Sequence, residues 1–461
     1  MMPRARYIAI GFLVIFVLLR WYKTPRQQTT TDFGPLEAFN STLGFQRIFA
    51  INLPARTDRR DVLTLAAALT GLNISFVDGV AGADVADSVL PGNGKTPMGF
   101  TVGNKGSWRA HMNVLQRIVQ ENITTALILE DDADWDIRIK SQMRVFAAAA
   151  RPFTQPVSPS SSAKTPGWQP PSEATLADLY RHSSPNSEAV IDIPISRVVT
   201  MDLPNPHLSP YGDDWDLLWL GHCGTDFPEE RRATDRSDDR WKPPPLRVTI
   251  PDDPTVPLSK YLVPHPFALG DSLGKQTFTG SDDEDNHEWV DGEGPRRSKR
   301  YAQHTRVVHA PRKAVCTQAY AVSQRGARRL LWRFGVGMGL TAGWDLVLSD
   351  WCDGVYASPS LSSLYGNHRR RGEGEELKAR EGDGGSDDEE VDGDGRPPVC
   401  VTVQPPLFSH HFGRGKGSDI SAAGGGFWKK KGEMTPYIRL SVRLNLGRLV
   451  NGMEPREQWD D

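Results

Sequence analysis

The sequence has few of the features that would identify a function directly. Only four of its 461 residues are cysteines, too widely separated for the short spacings of zinc sites: Cys223, Cys316, Cys352 and Cys400. One or two disulfides and buried free thiols are both compatible with this arrangement. A phosphate-binding P-loop is absent, because the Gly-Lys-Thr at Gly94 has no glycine five residues upstream.

Strong overall charge is missing too. The formal net charge is −3, and residues 372–395 alone hold eleven acids against two bases, a net of −9. The rest of the chain is therefore about +6, which suits an anionic substrate but excludes a strongly basic nucleic-acid-binding protein. Glycine (43) and proline (35) are abundant, so much of the length is predicted to be loop.

One apolar run lies near the N-terminus. The span from Tyr7 to Tyr22 reaches roughly 24 Å as a helix, which suits a thin bilayer. No small-residue cleavage site follows it. Residues 1–23 are therefore predicted to be an N-terminal signal anchor that contacts the membrane, and residues 24–44 a stem.

Three N-glycosylation patterns follow the apolar run, at Asn40-Ser-Thr, Asn73-Ile-Ser and Asn122-Ile-Thr. Each pattern is weak alone, but beside an anchor they favour a lumenal catalytic part. The expected location is the Golgi or endoplasmic reticulum membrane, as a single-pass type II protein.

An acidic segment follows a short apolar strand at residues 125–129. Five carboxylates occur within seven residues: Glu130, Asp131, Asp132, Asp134 and Asp136. In open parallel sheets, ligands bind beyond the carboxyl ends of strands, and clustered carboxylates repel one another unless a cation lies among them. Mg²⁺ or Mn²⁺, held by two carboxylates and diphosphate oxygens, fits this pattern. The alternative is that Asp134 or Asp136 only complements the dipole of a following helix.

Strands and helices alternate along the ordered parts of the chain. Apolar patterns predict strands at 47–53, 75–80, 125–129, 213–222, 318–323 and 399–411 and helices at 57–70, 104–120, 324–334 and 343–352. This order is typical of one α/β domain with a parallel sheet and right-handed crossovers. The domain is predicted to span residues 45–425, with a C-terminal tail at 426–461. Polar and proline-rich stretches at about 152–205, 228–309 and 366–398 are predicted to be disordered insertions.

Five segments carry a pattern that goes beyond any single motif. They are Ile51–Arg60, Gly103–His111, Leu127–Asp132, Ala319–Ala327 and Pro405–His411, the last followed by Ser418-Asp419-Ile420. In this order they resemble glycosyltransferase family 25, the lipopolysaccharide and collagen galactosyltransferase type. The resemblance implies a GT-A-like, Rossmann-type fold with a mostly parallel sheet and helices on both faces. It also implies inverting transfer of a hexose such as galactose from a nucleotide-sugar donor, usually UDP-linked, to a glycan or glycoprotein acceptor.

With that resemblance, the acidic segment becomes a metal and diphosphate site. Asp131, Asp132 and Asp134 are the predicted ligands of Mn²⁺ or Mg²⁺. Further donor contacts are expected from four basic side chains near two strand ends: Arg56, Arg59, Arg60 and His410. Asp345 is predicted to be the general base for the acceptor hydroxyl, and its alternative role is to cap the helix that begins near Gly343.

Two other functions remain open from the sequence. A glycoside hydrolase also uses paired carboxylates, but it would act in the presence of a chelator and without a nucleotide sugar. A catalytically inactive carbohydrate-binding or scaffold protein would bind neither UDP nor Mn²⁺.

Overall fold

The computed structural model describes residues 36–91, 100–157, 174–178, 191–228, 246–258, 261–262, 301–337, 340–356, 398–413 and 433–459. The predicted anchor and most of the predicted stem lie outside these residues. Within them, no helix combines the length and the apolar character needed to cross a membrane.

A large α/β sheet forms the centre of the described chain. Its strands, with those of a small second sheet, are β1 (Arg47–Asn52), β2 (Ser75–Asp78), β3 (Thr125–Glu130), β4 (Ala133–Trp135), β5 (Ile191–Pro194), β6 (Leu217–Gly221), β7 (Gly224–Asp226), β8 (Leu246–Ile250), β9 (Arg306–His309), β10 (Arg312–Val315), β11 (Ala319–Ser323), β12 (Cys400–Gln404) and β13 (Phe408–His410). The main path runs β2-β1-β3-β11-β6-β12-β9-β8-β5. Along it only β11 and β9 run opposite to the other strands, so the sheet is mostly parallel.

Two short strands extend the sheet at the carboxyl end of β3. Strand β13 pairs in parallel with β6 and antiparallel with β4, which follows the acidic pair Asp131-Asp132. Strands β7 and β10 form the separate two-stranded sheet.

Helices connect and cover the strands. They are α1 (Thr57–Thr70), α2 (Val102–Gln120), α3 (Ile139–Thr154), α4 (Ile195–Val198), α5 (Gln324–Leu331), α6 (Trp344–Cys352) and α7 (Val442–Val450), with a π-helical turn at Trp332–Gly337 and 3₁₀ turns at Leu36–Phe39, Gly82–Asp84 and Asp87–Val89. Hydroxyl side chains start three of them: Thr101, Ser323 and Ser441 each accept a backbone N–H three residues along.

The core lies on both faces of the sheet. Helices α2, α5 and α6 bury one face, where Trp108, Tyr320 and Trp219 share a single apolar cluster. Residues 125–129 of β3 are all buried although neighbouring side chains point to opposite faces, so the other face is covered as well. Helix α3, which lies outside that cluster, contacts β8, β9 and β12. The predicted α/β fold class is confirmed.

Close packing explains one glycine of the second family segment. A Cβ atom added to Gly106 of α2 would lie 2.4 Å from the backbone oxygen of Val80. The helix can therefore approach the chain after β2 only with glycine at this position.

Parts of the predicted insertions belong to the sheet. Strand β5 comes from the predicted insertion at 152–205, and β8 and β9 come from the one at 228–309. These strands are only four or five residues long, so the surrounding polar and proline-rich sequence hid them. The stretches predicted to be disordered at 158–173, 179–190, 229–245, 263–300 and 366–397 lie outside the described residues.

The predicted C-terminal tail is also structured in part. Residues 433–459 include α7, which contacts both α1 and β4. This segment therefore belongs to the same folded unit as the acidic segment.

Two disulfides join the four cysteines, Cys223 with Cys316 and Cys352 with Cys400. The first links the connection between β6 and β7 to the loop before β11, and the second links the last residue of α6 to the first residue of β12. Two disulfides in one chain indicate an oxidising compartment.

Candidate active site

Two neighbouring strands deliver the first part of the site. Strands β1 and β3 are parallel, with Ile51 opposite Glu130, so the residues that follow both strands meet at one edge of the sheet. The Asn52 amide donates a 2.8 Å hydrogen bond to Asp131 Oδ2. Arg59, in the first turn of α1, donates from Nη1 to Asp131 Oδ1 at 2.5 Å and to Asp132 Oδ2 at 3.3 Å.

This arrangement balances two adjacent carboxylates with one guanidinium. Burial raises the pKa of Asp131, and the charge of Asp132 adds to this effect, whereas Arg59 opposes it. For Arg59, burial would lower the pKa, but the charges of Asp132 and Asp131 outweigh it and the pKa is raised. Arg59 is therefore a protonated partner of both acids.

Strand β13 brings a histidine to the same place. His410 lies opposite Ala133 in the β13–β4 pair, and its Nδ1 is 3.3 Å from Asp132 Oδ1. Burial opposes ionisation of Asp132, but the charges of His410, Arg59 and Arg443 hold its pKa well below the usual value. For His410, burial is outweighed by Asp132, and the pKa is raised.

A cavity of about 270 Å³ opens beside Asp132 and His410. It is lined by Arg56, Asp58, Arg59, Val62, Asp132, His410, His411, Gly413, Glu433, Arg443 and Leu446. Three of the predicted donor-binding residues, Arg56, Arg59 and His410, therefore share one cavity with Asp132. Arg56 is held there by two hydrogen bonds to Asp58, at 3.0 and 3.1 Å.

His411, the residue after His410, has a different environment. Burial and the charge of Arg443 lower the pKa of His411 to about 4, although Glu433 opposes this shift. At neutral pH His411 is therefore an uncharged cavity residue, whereas the pKa of His410 is shifted in the opposite direction.

The structure places Arg60 away from the cavity. Its side chain is exposed, and the guanidinium carbon lies 4.6 Å from the centre of the Phe76 ring. One residue along a helix turns the side chain by about 100°, which separates Arg60 from Arg59.

Asp134 does not face the cavity either. It is fully buried, and its Oδ2 accepts hydrogen bonds from the hydroxyls of Thr435 (2.6 Å) and Ser441. Its Oδ1 accepts the backbone N–H groups of Trp135 and Arg443. Burial raises the pKa of Asp134, opposed by Arg443 and by these hydrogen bonds. Because all four bonds serve the C-terminal segment and β4, Asp134 is a structural carboxylate rather than the third metal ligand that the sequence predicts.

Asp136 is structural in the same way. Its Oδ1 accepts the backbone N–H and the Nε of Arg138, and its Oδ2 accepts the N–H of Leu440. These contacts fit the alternative in which an acid of this segment complements the dipole of the helix that follows.

Asp345 lies at the start of α6 and does not line the cavity. Its Oδ2 accepts the backbone N–H of Cys316 at 3.0 Å, so it joins α6 to the loop before β11. Burial raises its pKa, and the charge of Glu130 acts in the same direction. The geometry matches a capping role at the start of α6.

Glu130 is held by a threonine and lies close to a buried histidine. Its Oε1 accepts the Thr317 hydroxyl at 2.5 Å and lies 3.7 Å from His111 Nε2. His111 is buried, and its Nδ1 is 2.9 Å from the Tyr320 hydroxyl. The Glu130 side chain keeps 19% exposure, so it is a positioned carboxylate with access to solvent.

The donor set fits a divalent cation in part. Asp132 Oδ1 is buried and accepts no hydrogen bond from the described residues. Asp131 has both oxygens engaged by Asn52 and Arg59. Within the described ranges, no group of three or more His, Cys, Asp or Glu side chains is close enough to hold a metal ion. Because His410 Nδ1 lies 3.3 Å from this same Oδ1, a cation at Asp132 would have to displace the histidine.

Arg443 is a residue of this site that the sequence did not predict. It lies on α7, in the predicted tail, and donates to the backbone oxygens of Ala133 and Asp131. No local pattern marks it, because its partners are more than 300 residues away in the chain.

Comparison with known proteins agrees with the geometry. Residues 45–153 match the model of the family described as glycosyltransferase family 25 (LPS biosynthesis protein). The chain is 33% identical over 102 residues to a "Glycosyltransferase 25 family member" of Anopheles gambiae, covering 20% of this chain and 17% of that protein. It is 27% identical over 112 residues to "Procollagen galactosyltransferase 1-B" of Xenopus laevis, covering 22% and 18%. The matched part thus spans less than a fifth of either relative. The similarity to glycosyltransferase family 25 therefore lies in residues 45–153, which hold β1 to β3 and the acidic segment.

Proposed function

We propose that this chain is a glycosyltransferase that moves a hexose, such as galactose, from a UDP-linked donor to a hydroxyl group of a glycan or glycoprotein. The observation that carries the proposal is the meeting of Arg56, Arg59 and His410 with Asp132 in one cavity beyond the carboxyl end of β3. The match of residues 45–153 to the model of glycosyltransferase family 25 supports the reaction class.

The cavity supplies charges of both signs for a nucleotide diphosphate. Arginines and a protonated histidine bind phosphate oxygens through charge-assisted hydrogen bonds. Asp132, with Asp131 beside it, would hold Mn²⁺ or Mg²⁺, and such an ion acts as a Lewis acid on the departing diphosphate.

Inversion requires a single in-line displacement. The acceptor oxygen attacks the anomeric carbon from the face opposite the diphosphate, the bond to the diphosphate breaks, and the nucleoside diphosphate leaves with the bonding electrons. A carboxylate near the acceptor takes the hydroxyl proton. We assign this role to Glu130, which, like Asp345, lies outside the lining of the donor cavity, since its side chain is partly exposed and it directly precedes the Asp131-Asp132 pair. Asp345, whose oxygen is bonded to the backbone of Cys316, then positions the neighbouring loop.

Two matched variants separate these carboxylates. Glu130→Gln is expected to lose transfer by about 10²–10⁴-fold, the usual contribution of a general base, while UDP binding persists. Asp345→Asn is expected to keep most of its transfer rate. If Asp345→Asn loses transfer and Glu130→Gln keeps it, Asp345 is the general base.

A lumenal location accompanies this proposal. The two disulfides support an oxidising compartment, and residues 1–23 remain the expected membrane anchor.

A donor screen with the full chain in detergent tests the reaction class. Nucleotide sugars are supplied in turn with Mn²⁺, with Mg²⁺ and with a chelator, and released UDP or GDP is measured. We expect release with a UDP-hexose and metal, and none with the chelator. Sugar release from glycosides in chelator, without a nucleotide sugar, would show a hydrolase instead.

A further inference from the structure

Arg443 occupies an unusual position beside the acidic pair. It lies on the cavity wall and is only 8% exposed. Its Nε donates to the backbone oxygen of Ala133 at 2.9 Å and its Nη2 to that of Asp131 at 2.6 Å. These bonds fix the guanidinium against the backbone of the acidic segment, in the cavity wall that also includes Asp132.

Those hydrogen bonds do not neutralise the charge of Arg443, because both acceptors are uncharged carbonyl oxygens. Among the described residues, no carboxylate oxygen lies within 4.0 Å of a guanidinium nitrogen of Arg443, the distance of an ion pair. An arginine stays protonated even when buried, and its planar fork matches phosphate oxygens. A buried guanidinium at a cavity wall, without a direct acidic partner, is therefore suited to a bound oxyanion.

Asp134 determines where Arg443 stands. Its carboxylate accepts the N–H of Arg443 itself at 3.2 Å and the hydroxyls of Thr435 and Ser441. Ser441 in turn caps α7 by accepting the N–H of Leu444 at 3.0 Å. One buried acid thus joins the start of α7 to the strand that follows the acidic pair.

We propose that Arg443 binds the diphosphate of the donor, and that residues 433–459 are a part of the active site held in place by Asp134. This inference rests on the proposed function, because it assigns a ligand group to the same cavity. The segment supplies a third arginine beside Arg56 and Arg59, from the opposite end of the chain.

Calorimetric binding to the full chain tests this role, with UDP and uridine as probes in Mn²⁺. Arg443→Met is expected to weaken UDP binding by roughly tenfold to a hundredfold, the loss of one or two charge-assisted hydrogen bonds, with uridine binding unchanged. Arg443→Lys keeps the charge without the fork and should fall between the two. Arg448→Met, on the same helix but outside the cavity, is the matched control.

The outcomes separate the inference from the proposed function. If wild-type protein binds no UDP, the proposed function fails and the inference fails with it. If wild-type protein binds UDP and both Arg443 variants bind it equally well, the inference alone is wrong. If the Met variant does not fold, as judged by circular dichroism, the folded Lys variant decides by its UDP-to-uridine ratio.

A second, independent inference concerns the opposite edge of the sheet. Asn40, Asn73 and Asn122, each within an N-glycosylation pattern, are all exposed. They precede β1, β2 and β3 respectively, and these three strands are parallel neighbours. The N–H of Asn73 donates to the Ser41 oxygen at 2.8 Å, and the Gln46 side chain accepts the N–H of Thr124. The three acceptor sites therefore share the edge where the strands begin.

The candidate active site lies at the edge where those strands end. The length of β3 separates the two edges by on the order of 15–20 Å. We infer that all three asparagines carry N-linked glycans, which cover the edge away from the cavity and leave the cavity open. The two disulfides support the oxidising compartment in which such glycans are added.

Expression of the full chain in a eukaryotic host tests this inference. Peptide N-glycosidase F is expected to increase mobility by three glycan equivalents. Asn40→Gln, Asn73→Gln and Thr124→Ala should each remove one, whereas Asn451→Gln, outside any such pattern, removes none. Thr124 is changed because Asn122 adopts a φ of 52°, which glutamine tolerates poorly. Unchanged mobility of wild-type protein after the enzyme would overturn the inference.

Discussion

Asp134→Asn is the substitution that best separates a structural carboxylate from a metal ligand. The change preserves shape but replaces one acceptor oxygen with an amide nitrogen. Of the four donors that contact Asp134, two then face a group that cannot accept. Leaving a buried donor unpaired costs about 1–3 kcal/mol, so the free energy of unfolding should fall by about 2–6 kcal/mol.

Urea unfolding of the full chain, followed by tryptophan fluorescence, measures this loss. Thr435→Val is the matched control, because it removes one donor hydroxyl without changing size, and it should cost about 1 kcal/mol. UDP affinity should fall with Asp134→Asn, because Arg443 loses its support. Unchanged stability together with weaker Mn²⁺ binding would refute this account and return Asp134 to the metal site.

Three further predictions concern stability. Asp253→Asn leaves buried Arg306 without its 2.8 Å ion-pair partner and should lower the free energy of unfolding, measured in urea, by about 3–5 kcal/mol. Burial opposes ionisation of Asp253, but Arg306 lowers its pKa. The stability that Asp253 adds should therefore be present above the unfolded pKa and be lost as pH falls through the folded pKa. Burial raises the pKa of Asp353 to about 7, so its contribution to folding stability is present at acidic pH and is lost as pH rises through 7. At pH 8, Asp353→Asn should have a higher melting temperature than wild type. An equal or lower melting temperature would contradict this. Gly106→Ala forces a Cβ against the Val80 oxygen and should cost about 1–3 kcal/mol, measured by the same unfolding assay.

The parts of the fold that the sequence predicted are those with local patterns. Helix α1 has the predicted bounds, Thr57 to Thr70, because a proline turn precedes it and Gly71 ends it with a left-handed φ of 65°. Strand β3 was recognisable as an apolar run between a helix and an acidic segment. The rule that ligands lie beyond strand ends then placed Asp132 and Arg59 together.

The parts that the sequence did not predict depend on distant contacts. Strands β8 and β9 are short and lie in polar surroundings, so composition alone suggested an insertion. Arg443 and Asp134 meet only through folding, since they are 309 positions apart in the chain. The period of a helix, rather than sequence proximity, directed Arg60 to the Phe76 ring instead of the cavity.

The central claim is that the carboxylate of Asp132 serves a nucleotide-sugar donor. Its most direct test is the rate of UDP release from a UDP-hexose in Mn²⁺ for Asp132→Asn beside Asp61→Asn, an exposed acid on α1 that changes the net charge equally. The account predicts that Asp132→Asn reduces kcat/KM by at least about a hundredfold, whereas Asp61→Asn leaves it unchanged. Equal turnover in both variants and wild type would contradict it.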